Sequence, residues 1–153
     1  MGSSQIFQLV YVSVSRRPMV DRKLHAIQTA AVQNNRTNDV TGVLLYNNGC
    51  FLQLLEGSRD ALAKTYGKIA TDSRHVRPSV LYYQRAEKRV AESWSMGVLN
   101  MDRLTSRSSI EDLLERFRAE SEAVTSNEKP VETLMYEFER LSQENEAIQR
   151  ASA

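Results

Sequence analysis

The sequence has little of what would point to a secreted, membrane-bound or nucleic-acid-binding protein. Its one cysteine, Cys50, cannot form an internal disulfide, so we expect a reducing, cytoplasmic location. No apolar run approaches the roughly 20 residues that span a bilayer, which predicts a soluble chain without a membrane partner. The 20 Lys and Arg against 19 Asp and Glu leave a net charge of +1, so no nucleic-acid partner is indicated.

The common catalytic patterns are missing as well. There is no Gly-rich phosphate loop, no paired zinc-ligand spacing, and no serine or cysteine in a nucleophile motif. The two histidines, His25 and His75, lie far apart in sequence, so nothing marks out a metal site. We therefore expect neither ordinary hydrolysis nor group transfer.

What the first two-thirds of the chain does have is an apolar pattern that predicts an α+β fold. Helices are expected from about Val20 to Asn34-Asn35 and from the capping residue Ser58 to a point before Pro78. Residues 85–92 are charged and indicate a solvated connection. Strands are expected at residues 6–14, 40–46, 50–55, 79–84 and 94–101, with an Asn-Gly turn between the second and third. The order βαββαββ predicts a ferredoxin-like sandwich with one extra strand and both helices over one sheet face.

The last third is helical and charged, so we divide the chain into an α+β domain, 5–102, and a C-terminal helical extension, 103–153. A linker is expected at residues 125–129, and Pro130 suits a helix start. Heptad spacing allows a coiled coil, either a homodimer or higher homo-oligomer contact or a linker; it equally allows a cover for the open sheet face. The apolar stripe of the first of these helices is Ile110, Leu113, Leu114 and Phe117. The heptad positions of the second are Val131, Leu134, Phe138, Leu141, Asn145 and Ile148, with the polar Asn145 at an a-type position.

Polar side chains occupy positions where the pattern calls for apolar ones. Gln53 lies in the middle of an apolar strand, where an amide without partners would be costly. Asn34 and Asn35 can face inward at the end of the first helix, although asparagine also suits a helix stop. Tyr11 alone would be an ordinary core tyrosine. Together, these amides and the phenol would suit a planar heterocycle rich in carbonyls and ring nitrogens.

These residues lie in stretches that resemble the BLUF family, the blue-light sensors that use FAD. The resemblance runs over residues 5–102 in the family's order and spacing. The matching stretches are Leu9-Val10-Tyr11-Val12-Ser13, Asn34-Asn35, Val40-Thr41-Gly42-Val43-Leu44-Leu45-Tyr46, Phe51-Leu52-Gln53-Leu54-Leu55-Glu56-Gly57, Asp72-Ser73-Arg74-His75 and Trp94-Ser95-Met96.

The resemblance implies a flavin held without a covalent link between the two helices. The cofactor would be FAD, and FMN or riboflavin could substitute because much of the adenosine part is expected to be exposed. Tyr11 and Gln53 would lie beside the ring and Asn34 and Asn35 on its polar edge. The remaining implied contacts are the walls Ile27, Phe51 and Ile69 and the group Lys68, Asp72, Arg74 and His75.

The resemblance also implies a mechanism. Tyr11 would give an electron to the excited flavin and then its proton through Gln53, and the return of both would leave Gln53 rotated or tautomerised. A new hydrogen bond from Gln53 to the flavin C4 carbonyl would shift the absorption to longer wavelength. Trp94 and Met96, expected on the last strand, would relay the change to the C-terminal helices and an unidentified protein partner.

Three functional hypotheses stay open at this point. The leading one is a short photoreceptor without an effector enzyme domain, because only about 50 helical residues follow the sensor. The second is a sensor fragment of a longer light-regulated cyclase or phosphodiesterase. The third is a small ferredoxin-like hydrolase similar to acylphosphatase, which only the fold would support.

Overall fold

A five-stranded sheet with helices on both faces forms the part of the chain that the structure, a computed structural model, describes: residues 5–105, 108–122 and 129–151. Its elements are β1 (Ile6–Ser15), α1 (Asp21–Asn38), β2 (Thr41–Asn47), β3 (Cys50–Gly57), α2 (Arg59–Ala70), β4 (His75–Ala86), β5 (Gly97–Asn100), a 3₁₀ turn (Met101–Arg103), α3 (Ile110–Glu122) and α4 (Pro130–Ala151).

The strand order is β4-β1-β3-β2-β5. Neighbouring strands are antiparallel except for β2 and β5, which run parallel. The first four strands with α1 and α2 form the ferredoxin-like unit, and β5 is the additional strand on the β2 edge. The predicted fold class is therefore confirmed.

Alternating side chains along the strands divide the interior into two cores. On one face the sheet packs against α1 and α2, through residues such as Leu9, Leu44 and Leu55. On the other face Leu52 and Leu54 pack against α3 and α4. Because successive strand residues point to opposite faces, Tyr11 and Gln53 lie on the α1/α2 side.

Local turn chemistry explains the hairpin between β2 and β3. Asn48 and Gly49 both have positive φ, 47° and 79°, as a two-residue hairpin turn requires, which confirms the predicted turn. The predicted end of α1 was too early, since the helix continues to Asn38 and Asp39 takes the left-handed C-cap position, φ 55°. Asn34 and Asn35 are therefore helical residues and not a helix stop.

The strand predicted at 79–84 is longer at both ends. It begins at His75, so Pro78 lies inside β4, which an edge strand tolerates because one side of it needs no ladder hydrogen bonds. Residues 85–92 are also less solvated than expected. β4 continues to Ala86. Ala91 is buried, with 1% exposure, because its backbone nitrogen and that of Val90 donate to the buried carboxylate of Glu56.

The last strand is shorter than predicted. β5 covers only Gly97–Asn100, so Trp94 and Met96 precede it and are not strand residues. The reason is a tertiary contact, since side-chain amides of α1 bind the carbonyl oxygens of Ser95 and Met96. Gly42 still donates from its backbone nitrogen to the carbonyl of Trp94, 2.9 Å.

The C-terminal helices cover the second sheet face. Along α4 the residues Val131, Leu134, Phe138 and Leu141 are all at most 3% exposed and belong to the core of their own chain. The heptad spacing thus reflects a sheet cover over these positions. Of the expected linker 125–129, residues 125–128 lie outside the described residues. Within the described ranges, no helix is both long and apolar enough to cross a bilayer.

Candidate functional site

A cavity of about 310 Å³ opens between α1, α2 and the sheet. Its volume is at the small end of the roughly 300–1,000 Å³ range of ligand sites, which suits a ring system more than a whole dinucleotide. All eleven residues that the sequence analysis put around a cofactor line it, and so does Met96. These are Tyr11, Ile27, Asn34, Asn35, Phe51, Gln53, Lys68, Ile69, Asp72, Arg74 and His75.

Five other lining residues were not predicted from the sequence: Ala30, Ala31, Leu44, Leu55 and Thr65. Leu44 and Leu55 could have been found from strand parity, since they lie on the same face as Gln53. Ala30 carried no signal, because a small residue near a ligand looks the same in sequence as one on an exposed helix surface.

Tyr11 and Gln53 are paired across the cavity floor. They are directly opposite in the register of β1 and β3 and are 3% and 4% exposed. The phenol of Tyr11 donates a hydrogen bond to Oε1 of Gln53. The amide nitrogen Nε2 of Gln53 donates to the sulfur of Met96, 3.4 Å. A thioether is a weak acceptor, so this buried amide retains donor capacity toward the cavity.

The surroundings of Tyr11 keep its phenol protonated. Burial, reinforced by the nearby Tyr66 and Asp72, raises the pKa of Tyr11 far above that of an exposed tyrosine. The ring of Tyr66 meets that of Tyr11 edge-on, with centroids 5.5 Å apart. Tyr11 is consequently a neutral hydrogen-bond donor in the fold.

A carboxamide network forms the α1 wall. Lys68 Nζ donates to Oδ1 of Asn34 at 3.1 Å, and Nδ2 of Asn34 lies 3.3 Å from Oδ1 of Asn35 and 3.4 Å from the hydroxyl of Thr65. Asn35 itself is 1% exposed and donates to the carbonyl of Ser95 at 2.6 Å. The side chains of both asparagines therefore point inward, toward the cavity.

The opposite end of the cavity holds the turn after α2. A bidentate contact from Arg74 lowers the pKa of Asp72. His75, at the start of β4, is 8% exposed; its Nε2 lies 2.5 Å from the carbonyl oxygen of Ile69 and its Nδ1 lies 2.8 Å from the hydroxyl of Ser13. Since the carbonyl can only accept, Nε2 carries the proton.

The two predicted relay residues lie on different sides of the sheet. Met96 lines the cavity, and Nε2 of Gln28 donates to its carbonyl oxygen at 3.0 Å. Trp94 does not line the cavity. Its ring packs edge-on against Phe138 of α4, with centroids 5.3 Å apart. The short segment 94–96 thus contacts both the cavity and the C-terminal helix.

A buried carboxylate that sequence reasoning missed holds the connection leading into this segment. Glu56 is 0% exposed and accepts hydrogen bonds from the backbone nitrogens of Val90 and Ala91, at 2.7 and 2.8 Å. Gln8 and Thr41 add side-chain donors at 2.9 and 3.2 Å. Four donors satisfy the carboxylate, so Glu56 fixes the chain shortly before Trp94.

The donor set fits a planar, carbonyl-rich heterocycle. Carboxamides of Asn34, Asn35 and Gln53 can each both donate and accept, and apolar walls on either side can hold a flat ring. Among the described residues, no group of three His, Cys, Asp or Glu side chains could hold a metal ion.

The chain is similar in sequence to a known protein family and to individual members of it. The model of the family described as "BLUF: Sensors of blue-light using FAD" matches residues 6–97. The photoactivated adenylate cyclase subunit beta of Euglena gracilis is 32% identical over 114 residues, which are 74% of this chain and 13% of that protein. This chain therefore spans only a small part of that relative's length.

Two solved structures share the fold. A bacterial light-regulated adenylyl cyclase matches with a TM-score of 0.66 and 30% identity, over 72% of this chain and 33% of the cyclase. The dark-state structure of BlrB, a BLUF protein, has a TM-score of 0.66 and 23% identity over 87% of this chain and 94% of BlrB. With the family match over more than half of its length, this chain belongs to the BLUF family of blue-light sensors that use FAD.

Proposed function

We propose that the protein is a blue-light photoreceptor that holds a flavin, most simply FAD, without a covalent link in the α1/α2 cavity. The observation that carries the proposal is the chain of side chains Tyr11, Gln53 and Met96 at that cavity. It joins a phenol, an amide that can reverse its hydrogen bonds, and a weak acceptor that is easily replaced. Asn34, Asn35 and Lys68 would hold the polar edge of the ring.

The side chains of this site suit a light-driven switch of hydrogen bonds. When bound, the flavin supplies a blue-light-absorbing ring whose excited state takes up an electron. Tyr11, already bonded to Gln53, gives up an electron and passes its proton to Oε1 of the amide. The return of both leaves Gln53 rotated or tautomerised, so that its bonds to Tyr11 and Met96 are exchanged. The altered hydrogen bonds around the ring would shift the flavin absorption to longer wavelength.

We propose that the signal leaves through segment 94–96. A rotated Gln53 no longer donates to Met96, and Met96 is two residues from Trp94, which packs on Phe138. Asn35 and Gln28 hold the carbonyls of the same segment, so a shift there changes contacts on α1 and α4 together.

The output is proposed to be a contact with an unidentified protein partner, without an effector enzyme activity in this chain. On α4 the ring of Tyr136 is 64% exposed and faces away from the core, which suits such a contact. We keep the proposal of a homodimer or higher oligomer, although the apolar α4 positions named above are used by the chain's own sheet. A role as the sensor segment of a longer light-regulated enzyme is the second candidate, because the Euglena relative is much longer.

Absorption spectroscopy tests the proposal. The purified protein should be yellow, and blue light should shift its flavin bands to longer wavelength, with full recovery in darkness. A colourless protein that takes up no flavin from solution would refute it. Light-scattering measurement of the molar mass, in darkness and under blue light, would test the oligomer.

A further inference from the structure

A second cavity, of about 340 Å³, lies beside the first. It is open to solvent and is formed by the β1–α1 connection, the first turns of α1 and the turn before β4. Seven residues line it: Arg16, Arg17, Met19, Lys23, Ala26, Ser73 and Arg74. The proposed flavin ring site does not account for it.

The lining of this cavity is strongly positive. Four of its seven residues are cations, and none carries a carboxylate. Arg74 is partly neutralised by Asp72. Arg16, Arg17 and Lys23 make no ion pair with any residue that the structure describes. Three uncompensated cations around one opening favour an anionic ligand.

The backbone that carries the two arginines is fixed in place. The nitrogen of Arg16 donates to the carbonyl of Arg74 at 3.1 Å, and the hydroxyl of Ser15 donates to the carbonyl of Arg17. The nitrogen of Met19 donates to the phenol oxygen of Tyr46 at 3.0 Å. The arginines therefore project from an ordered connection, which lowers the entropy lost on binding.

The two cavities are adjacent, at a separation that matches a flavin nucleotide. Arg74 lines both. On α1, Ile27 lines the first cavity, and Lys23, one helical turn or about 5.4 Å earlier, lines the second. A five-carbon ribityl chain is long enough to cover such a step from the ring to its phosphate.

We infer that the second cavity is the phosphate subsite of the flavin site, where Arg16, Arg17 and Lys23 bind the phosphate of FMN or the pyrophosphate of FAD. This inference rests on the proposed function. It assigns the protein a preference for phosphorylated flavins over riboflavin, which the ring site alone cannot provide.

Equilibrium binding to the flavin-free protein, residues 1–153, tests the inference. At low salt, FMN and FAD should bind at least about tenfold more tightly than riboflavin, the ratio expected when one charge-assisted hydrogen bond is gained. Added salt should reduce this ratio, and inorganic pyrophosphate should compete with FMN but not with riboflavin. Equal affinities for FMN and riboflavin would overturn the subsite and leave the ring site intact. Failure of all three flavins to bind would instead refute the proposed function.

Variants that remove positive charges test which residues cause the preference for FMN over riboflavin. The double variant Arg16→Gln/Arg17→Gln should bring the FMN-to-riboflavin ratio close to one, and Lys23→Gln should reduce it less. Riboflavin affinity should stay unchanged in both, which also reports an intact fold. Arg22→Gln is the matched control, because Arg22 adjoins Lys23 on α1, is exposed and does not line the cavity. A loss of preference in the control equal to that in the double variant would show only a general charge effect and overturn the assignment.

Discussion

Tyr11 and Gln53 are cross-strand neighbours in β1 and β3, and the phenol of Tyr11 donates to the amide oxygen of Gln53. The sheet register places both side chains on the same face at the same height, so no loop has to close to bring them together. Both are almost fully buried, which leaves the amide few alternative partners. The sheet itself therefore holds this hydrogen-bonded pair in position.

Replacing Tyr11 by phenylalanine should separate binding from photochemistry. Tyr11→Phe keeps the ring volume but removes the hydroxyl that bonds to Gln53. We expect normal flavin content and loss of the light-induced red shift, measured by absorption spectroscopy before and after blue light. Tyr66→Phe is the control, since Tyr66 contacts Tyr11 only through ring packing. A full red shift in Tyr11→Phe would exclude this residue as the electron donor.

The amide at position 53 can be tested in the same way. Gln53→Leu has nearly the same size but cannot exchange hydrogen bonds, so the protein should remain coloured and lose the normal shift. The exposed Gln33→Leu on α1 controls for a general effect of removing an amide. If Gln53→Leu completed an ordinary photocycle, the proposed switch would have to be abandoned.

Burial of Tyr11 predicts a pH dependence of stability. The pKa of Tyr11 is raised in the fold, mainly by burial and also by Tyr66 and Asp72. The neutral Tyr11 side chain therefore contributes fully to the free energy of unfolding below the pKa of an unfolded tyrosine, about 10. This contribution is lost as the pH rises above that value. Above pH 10 the free energy of unfolding should fall about 1.4 kcal/mol per pH unit more steeply in the native sequence than in Tyr11→Phe. Urea denaturation at pH 9, 10 and 11 measures the difference, and equal slopes would contradict it.

Elements set by local sequence could be predicted, whereas those set by tertiary contacts could not. The Asn48-Gly49 turn follows from backbone preferences alone. The extent of β5 does not, because the carbonyls of Ser95 and Met96 are bound by amides from α1, distant in sequence. The partner of the apolar positions along α4 was ambiguous for another reason. A helix that packs on a sheet and a helix that packs on a second helix have the same apolar spacing.

The same distinction applies to the candidate site. Gln53 could be found because a polar residue interrupts an apolar strand. Glu56 could not, since a charged residue next to Gly57 at the end of a strand looks like an exposed one. Its burial depends on donors from Val90 and Ala91, which only the folded connection brings to it.

Glu56 should contribute strongly to stability. Each of its carboxylate oxygens accepts two hydrogen bonds, so the amide NH2 group of a Glu56→Gln variant would face donors in either orientation. We expect the free energy of unfolding to fall by about 3 kcal/mol. Faster amide exchange at Val90 and Ala91 should accompany the loss. The exposed Glu87→Gln in the same connection should change stability little, and similar losses in both variants would argue against the buried carboxylate as the cause.

Gly97 decides how closely Trp94 can approach Phe138. A Cβ added at position 97 would lie 2.7 Å from the indole and 2.8 Å from the phenyl ring, so Gly97→Ala must push the two rings apart. We expect a destabilisation of about 1–3 kcal/mol from this overpacking. If Trp94 relays the signal, the variant should keep the flavin red shift and lose the light-induced change in amide exchange of α4.

A matched glycine on α2 separates the relay from a backbone effect. Gly67→Ala meets no atom within 4 Å and lies inside a helix, so it should stabilise the protein by roughly 0.5–1 kcal/mol and leave the α4 response unchanged. Hydrogen–deuterium exchange in darkness and under blue light compares both variants with the native sequence. An undiminished α4 response in Gly97→Ala would remove the Trp94–Phe138 contact from the signalling route, because that variant displaces the contact while sparing Tyr11 and Gln53.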